Sequence, residues 1–251
     1  MTTRHEFLAQ LHDLIQPRGY LEIGVQYGTS LALAKCPAIG IDPAPMLQGH
    51  FKDTQIFTME SDRFFAAPCS LADEYQDFNL DLAFIDGMHL YEYALRDFIN
   101  VERYSNPRTV VVLDDVLPYN AAIATREQPP GDWTGDVWKV PQVLMTWHPN
   151  LHVFLVDTEP TGTAVVFGLN SESKKLQNVY QAITGDHMTA CEDVPEKILS
   201  REGAVSAEEA LVAVAYYLHS LDEDGWDEDS GHRGERIHRK GDPEGSPGAG
   251  A

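Results

Sequence analysis

The chain predicts an α/β fold: a seven-stranded, mostly parallel sheet ending in an antiparallel hairpin, with helices on both faces. Three observations carry this. Short apolar runs alternate with stretches of helical periodicity, which implies parallel strands covered on both sides. The first of these runs breaks into a glycine loop, Gly24 to Gly28, of the kind that opens a ligand-binding β-to-α turn. The last two runs are joined by a turn around Pro160-Thr161-Gly162, a connection so short that it can only join antiparallel neighbours.

The elements follow in order. Residues 3–16 carry Phe7, Leu8, Leu11, Leu14 and Ile15 at helical spacing, and Pro17-Arg18-Gly19 ends that helix. Strands are expected at 20–25, 38–41, 55–59, 80–85 and 109–113, and residues 30–35 are expected within a helix after the first loop. Tyr91, Leu95, Phe98 and Val101 place a helix over 91–104, on which Asp97 is expected to face outward. A further helix is expected over 137–147, with Pro141 near its first turn, then strands at 152–156 and 163–169. The domain reading is 1–170 for the sheet domain with its N-terminal helix and 171–221 for a helical extension, with helices over 173–184 and 206–221. Residues 222–251 are charged, glycine-rich and nearly free of apolar anchors, and are expected to be disordered.

Composition excludes some functions. The 251 residues carry 39 acidic and 18 basic side chains, a formal charge of -21 that disfavours nucleic acid and anionic membrane surfaces. The N-terminal residues do not form a signal peptide, and no apolar run approaches the ~20 residues of a membrane helix. Cys36, Cys69 and Cys191 are odd in number and widely spaced, which argues for reduced thiols rather than disulfides or a zinc site. A cytoplasmic protein is expected.

Ligands of open α/β sheets bind outside the carboxyl ends of the strands. Those ends here hold Glu22, Asp42, Glu60-Ser61-Asp62, Asp86 to His89 and Asp114-Asp115, so carboxylates gather at one edge. Like charges raise one another's energy, so such a gathering points to a ligand or cation. The glycines let backbone approach a nucleoside, and an acid one strand over suits the ribose hydroxyls. Three hard oxygen ligands at Asp86, Asp114 and Asp115 suit Mg²⁺. His89 is the candidate base, since a histidine near its free pKa can take a hydroxyl proton at neutral pH. Trp133, Trp138 and Lys139 fit a substrate wall, the rings stacking on a sugar or aromatic acceptor and the lysine meeting an acidic substrate or the carboxylate cluster.

The E-x-G-x-x-x-G of Glu22, Gly24 and Gly28 resembles motif I of class I S-adenosylmethionine (SAM) methyltransferases, although Gln26 stands where that family often has glycine. The F-I-D-G-M-H-L-Y-E segment and the following L-D-D resemble the divalent-metal O-methyltransferases, the group of macrolide sugar O-methyltransferases and a cephalosporin hydroxylase-like protein. The resemblance covers roughly residues 18–170 and implies the Rossmann-like SAM methyltransferase fold. It further implies SAM held by Glu22, Gly24, Gly28, Thr29, Ser30, Asp42, Ser61, Asp62 and Asp86, with Glu22 near the methionine amino group. The metal would be held by Asp86, Asp114 and Asp115.

The function expected is therefore an enzyme, a SAM-dependent, Mg²⁺-assisted O-methyltransferase acting on a hydroxyl of a small metabolite: a sugar, phenol or natural product. The acceptor would be its only required partner, with a homo-oligomer left open. The alternatives are a hydroxylase-like enzyme or a non-catalytic binding protein on the same fold. A nicotinamide enzyme is disfavoured because the first turn lacks G-x-G-x-x-G.

Overall fold

The computed structural model describes residues 2–66, 78–188, 193–223, 226–227 and 232–233. Cys69 and Cys191 lie outside the described residues, and Cys36 is a free, half-buried thiol. Seven strands form one sheet: β1 (Tyr20–Ile23), β2 (Ala38–Ile41), β3 (Thr54–Phe57), β4 (Leu82–Ile85), β5 (Val110–Leu113), β6 (His152–Val156) and β7 (Thr163–Phe167). Their order is β3-β2-β1-β4-β5-β7-β6. The first five run parallel, while β7 pairs antiparallel with β5 and β6, as the turn around Pro160 requires. The order reverses between β1 and β4, and the crevice at that reversal is where such sheets bind ligands.

Every residue of β1, β2, β4 and β5 is buried. Alternate positions feed two cores. On one face Leu21, Ile23, Ile85 and Leu113 pack against Tyr91, Leu95 and Phe98 of α3 (Tyr91–Glu102) and against α4 (Lys139–Trp147). On the other, Tyr20, Leu82, Phe84 and Val112 pack against Phe7, Leu8 and Leu11 of α1 (Arg4–Ile15). Each large side chain taken out of water this way contributes roughly 1.5–3 kcal/mol. The α1 helix starts in a capping box: the Thr3 hydroxyl accepts from the Glu6 amide, and the Glu6 carboxylate accepts from the Thr3 amide at 2.8 Å.

Two expectations need correction. Residues 30–35 form no α-helix, only a 3₁₀ turn, Leu31–Leu33. Pro37 disfavours helix at Cys36, and β2 begins at Ala38, so there is too little chain for a stable helix. Asp97 does not face outward; it is buried. In the expected helical extension 171–221, α7 (Ala207–Glu223) puts Ala210, Val214 and Leu218 into the same core as α1. Preceding it are α5 (Lys175–Met188) and the single turn α6 (Glu196–Leu199), while α2 (Ser61–Ala66) follows β3. Within the stretch expected to be disordered, α7 continues to Glu223, and Trp226–Asp227 pairs with His232–Arg233. The rest of that stretch lies outside the described residues.

Candidate functional site

The carboxyl ends of β1, β2, β4 and β5 open into a cleft of about 720 Å³, within the size range of small-ligand sites. One wall comes from the loop after β1. Gly24 has φ 87°, and a Cβ there would lie 1.9 Å from the Asp86 carbonyl oxygen, so only glycine lets the ends of β1 and β4 meet. Gln26 follows with φ 45°, a left-handed conformation that glycine adopts without strain, which accounts for the family's preference there. Its amide donates to Asp42 Oδ2 at 2.8 Å, and the Ala44 amide donates to Oδ1 at 2.7 Å. Asp42 thus ties the β1 and β2 loops together at the cleft.

The opposite wall is charged. Asp86 ends β4, Asp114 and Asp115 end β5, and His89 lies one turn beyond Asp86. His89 Nε2 is 3.2 Å from Asp86 Oδ1, and its Nδ1 is 3.2 Å from Asp115 Oδ2 and 2.6 Å from the Trp133 carbonyl oxygen. Asp115 holds φ 62°, strained for a residue with a side chain. Burial lowers the His89 pKa, but the hydrogen bond to Asp86 and the charges of Asp115 and Asp86 outweigh it and raise it to about 9. This corrects the expectation of a histidine near its free pKa: beside bare carboxylates it is an imidazolium at neutral pH. Burial first, then Asp86, pushes Asp115 up to about 6.

Asp114 behaves differently from its neighbour. It is buried, and its Oδ2 accepts a hydrogen bond from Arg4 Nη1, while its Oδ1 has no hydrogen-bond partner among the described residues. Arg4 Nη1 also lies 3.9 Å from Asp86 Oδ2. Sequence reasoning missed Arg4, since its reach from the N-terminal helix depends on how α1 docks. Among the described residues the side chains that come together as a possible cation site are Asp86, His89 and Asp115, with donor atoms within 4.8 Å of one another. The expected trio therefore changes membership: His89 enters and Asp114 is occupied by Arg4.

The remaining expected residues divide into two groups. Gly24, Asp42, Ser61, Asp62, Asp86, His89, Asp115 and Trp133 line the cleft. Glu22 does not; it is fully buried beneath the loop, accepting from the Tyr20 hydroxyl at 2.6 Å and the Ser30 hydroxyl at 2.8 Å. Burial drives its pKa up to about 8. Gly28 packs against Phe51, and neither it nor Thr29 lines the cleft. Asp62 lies in the cleft, but Arg96 takes both its oxygens. Trp138 and Lys139 are buried and do not line the cleft, and Lys139 pairs with Asp136 at 3.2 Å. Their expected role at a substrate wall is corrected by that burial: Lys139 is bound inside a network in which Arg126 bridges Glu92 and Asp136.

Comparisons with known proteins agree with this geometry. Residues 21–116 match the model of a methyltransferase domain family. The cofactor-bound protein Rv0187 from MTB is 18% identical, over 65% of this chain and 78% of that one, with a TM-score of 0.51. The O-methyltransferase TomG from Streptomyces achromogenes, involved in tomaymycin synthesis and solved with SAM, is 16% identical, over 66% and 80%, with a TM-score of 0.50. At such identities these likenesses establish the fold. No curated protein matches the chain in sequence. The fold is the one these solved structures share, and within it residues 21–116 match a methyltransferase domain.

Proposed function

We propose that this protein moves a methyl group from SAM to a hydroxyl of a small metabolite, with a divalent cation at Asp86, His89 and Asp115. One observation carries the reading. A single cleft joins a nucleoside-type wall, the Gly24 loop pinned by Asp42, to a wall of carboxylates and imidazole suited to a hydroxylated acceptor. SAM, bound there, would supply an electrophilic methyl, and a cation would polarise the acceptor hydroxyl.

The chain's own residues do the rest. Asp42 would take the ribose hydroxyls, and Ser61 lines the same cleft. Asp115 would accept the acceptor proton, while His89, whose Nδ1 faces the Trp133 carbonyl, would serve as a cation ligand rather than as the base. Trp133 forms the acceptor side, with its ring 5.2 Å from that of His89. Holding donor and acceptor in line supplies much of the rate in such transfers.

The donor set fits a divalent cation, but Mg²⁺ prefers oxygen alone, and one of the three donors is an imidazole. Residues 1–170 are taken as the catalytic domain and the protein as cytoplasmic; no described helix is long and apolar enough to cross a membrane. Calorimetry of SAM binding, with Mg²⁺ and then with chelator, tests the reading. Binding that survives chelation supports the cofactor wall and confines the cation to the acceptor step. Absence of binding under both conditions sinks the proposal.

A further inference from the structure

Arg4 is held by more than its side chain. The Arg4 amide donates to the Glu159 carbonyl at 3.1 Å, and the Glu159 amide donates to the Thr2 carbonyl at 2.9 Å. The N-terminal segment is thereby stapled to the β6–β7 turn, whose Pro160 and Thr161 line the cleft. From that anchor the guanidinium enters the carboxylate cluster between Asp114 and Asp86.

We infer that Arg4 sets the cation selectivity of this site: by holding Asp114, it leaves a set of two carboxylates and one imidazole that takes a transition ion in preference to Mg²⁺. The inference rests on the proposed cation site at Asp86, His89 and Asp115. Mg²⁺ sheds water reluctantly and is retained by carboxylate charge. A fixed guanidinium beside Asp86 opposes that charge, and pairing Asp114 removes a third carboxylate from reach. An imidazole restores affinity for softer divalent ions such as Co²⁺, Ni²⁺ or Zn²⁺ and does little for Mg²⁺. Arg4 Nη1 pairs with Asp114 and lies 3.9 Å from Asp86, so a third carboxylate stands beside the set, and its buried Oδ1 has no hydrogen-bond partner among the described residues. Arg4 is a positioning residue here, acting through Asp114.

The experiment titrates Co²⁺ and Mg²⁺ separately into chelator-stripped, full-length protein by calorimetry, with the visible Co²⁺ spectrum reporting imidazole ligation. Wild type should bind Co²⁺ about 100-fold more tightly than Mg²⁺. Arg4→Gln should free Asp114 and narrow that gap by about tenfold, mainly through tighter Mg²⁺ binding. Should Arg4→Gln fold poorly, Asp114→Asn and Asp115→Asn in the presence of Arg4 answer the same question. Co²⁺ affinity should stay within about threefold in Asp114→Asn and be lost in Asp115→Asn. Equal affinity for the two ions in wild type, no cation binding at all, an unchanged gap in Arg4→Gln, or equal losses in the two Asp variants would each overturn the inference. SAM calorimetry on the same samples separates the two failures: SAM binding without cation selectivity removes only the role of Arg4, whereas absent SAM binding removes the functional reading beneath it.

Discussion

Gly135 rests directly on His89: a Cβ at Gly135 would fall 1.5 Å from the His89 carbonyl oxygen. Its φ of 54° adds a second reason for glycine. This contact brings the chain past Trp133 close enough for the Trp133 carbonyl to accept from His89 Nδ1. Gly135→Ala should therefore lift the segment off His89 and destabilise the fold by about 2–4 kcal/mol, from overpacking and left-handed strain together. Thermal unfolding measures this. An unchanged midpoint would mean that the contact is not maintained in solution.

Arg126 fastens the same segment from the other side. Its guanidinium bridges Glu92 on α3 and Asp136, both buried, and the Asp136 carboxylate also accepts from the Tyr91 amide at 2.8 Å. Arg126→Ala leaves two buried carboxylates with a diminished set of partners, which should cost about 2–4 kcal/mol. Arg126→Lys should recover only part of it, since an ammonium cannot fork to both acids. Denaturant unfolding gives the energies, and limited proteolysis should show faster cleavage within residues 118–136.

Glu22 makes a prediction about pH. Burial raises its folded pKa to about 8, above an unfolded value near that of a free carboxylate. The folded state therefore holds a proton that the unfolded state releases. Its favourable contribution is complete below the unfolded pKa and is lost as pH rises toward 8. Glu22→Gln mimics the protonated acid. The variant should match wild type in stability near pH 4.5 and exceed it by a few kcal/mol (an order-of-magnitude figure) at pH 8. Equal pH profiles for the two proteins would show that Glu22 titrates normally.

Asp42 tests the cofactor wall. Its carboxylate accepts two loop amides and still lines the cleft. Replacing it with Asn removes the charge from those bonds and from the expected ribose contact. A charge-assisted bond contributes about 1.5–3 kcal/mol, so SAM affinity should fall roughly 10- to 100-fold. Calorimetry reads the change, with circular dichroism to show that the fold persists.

Much of the sheet was legible because parallel strands buried on both faces read as plain apolar runs, as in Val110–Leu113 and Leu82–Ile85. The hairpin was legible from one tight turn. What escaped depends on partners distant in sequence. Asp97 looked solvent-facing because nothing near it in the chain explains a buried acid; the structure puts it in the cleft lining beside Ser61. Lys139 looked free for substrate because its place in the Arg126, Glu92 and Asp136 network depends on the fold of the loop after β5. Asp114 and Asp115 are adjacent and chemically identical, yet one meets Arg4 and the other His89, a division set by backbone direction at φ 62°.

Trp133 and Trp138 show the same division and lead to a kinetic test. Trp138 is core, whereas Trp133 lines the cleft beside His89 and is anchored by its indole N–H donating to the Thr125 carbonyl at 2.6 Å. A ring pinned at its N–H, on a backbone whose carbonyl is tied to His89, is a surface against which an acceptor can lie. Removing it in Trp133→Ala leaves the Asp42 wall untouched, so SAM affinity should stay within about twofold. The acceptor loses a stacking surface of about 0.5–1.5 kcal/mol beyond its area burial, so its KM should rise by about 3- to 10-fold or more. His89 also loses the ring against its edge while keeping the carbonyl bond, so kcat should fall less than KM rises. A matched loss of SAM affinity would move Trp133 to the cofactor side of the cleft. An unchanged KM, with an acceptor in hand, would take it out of the site.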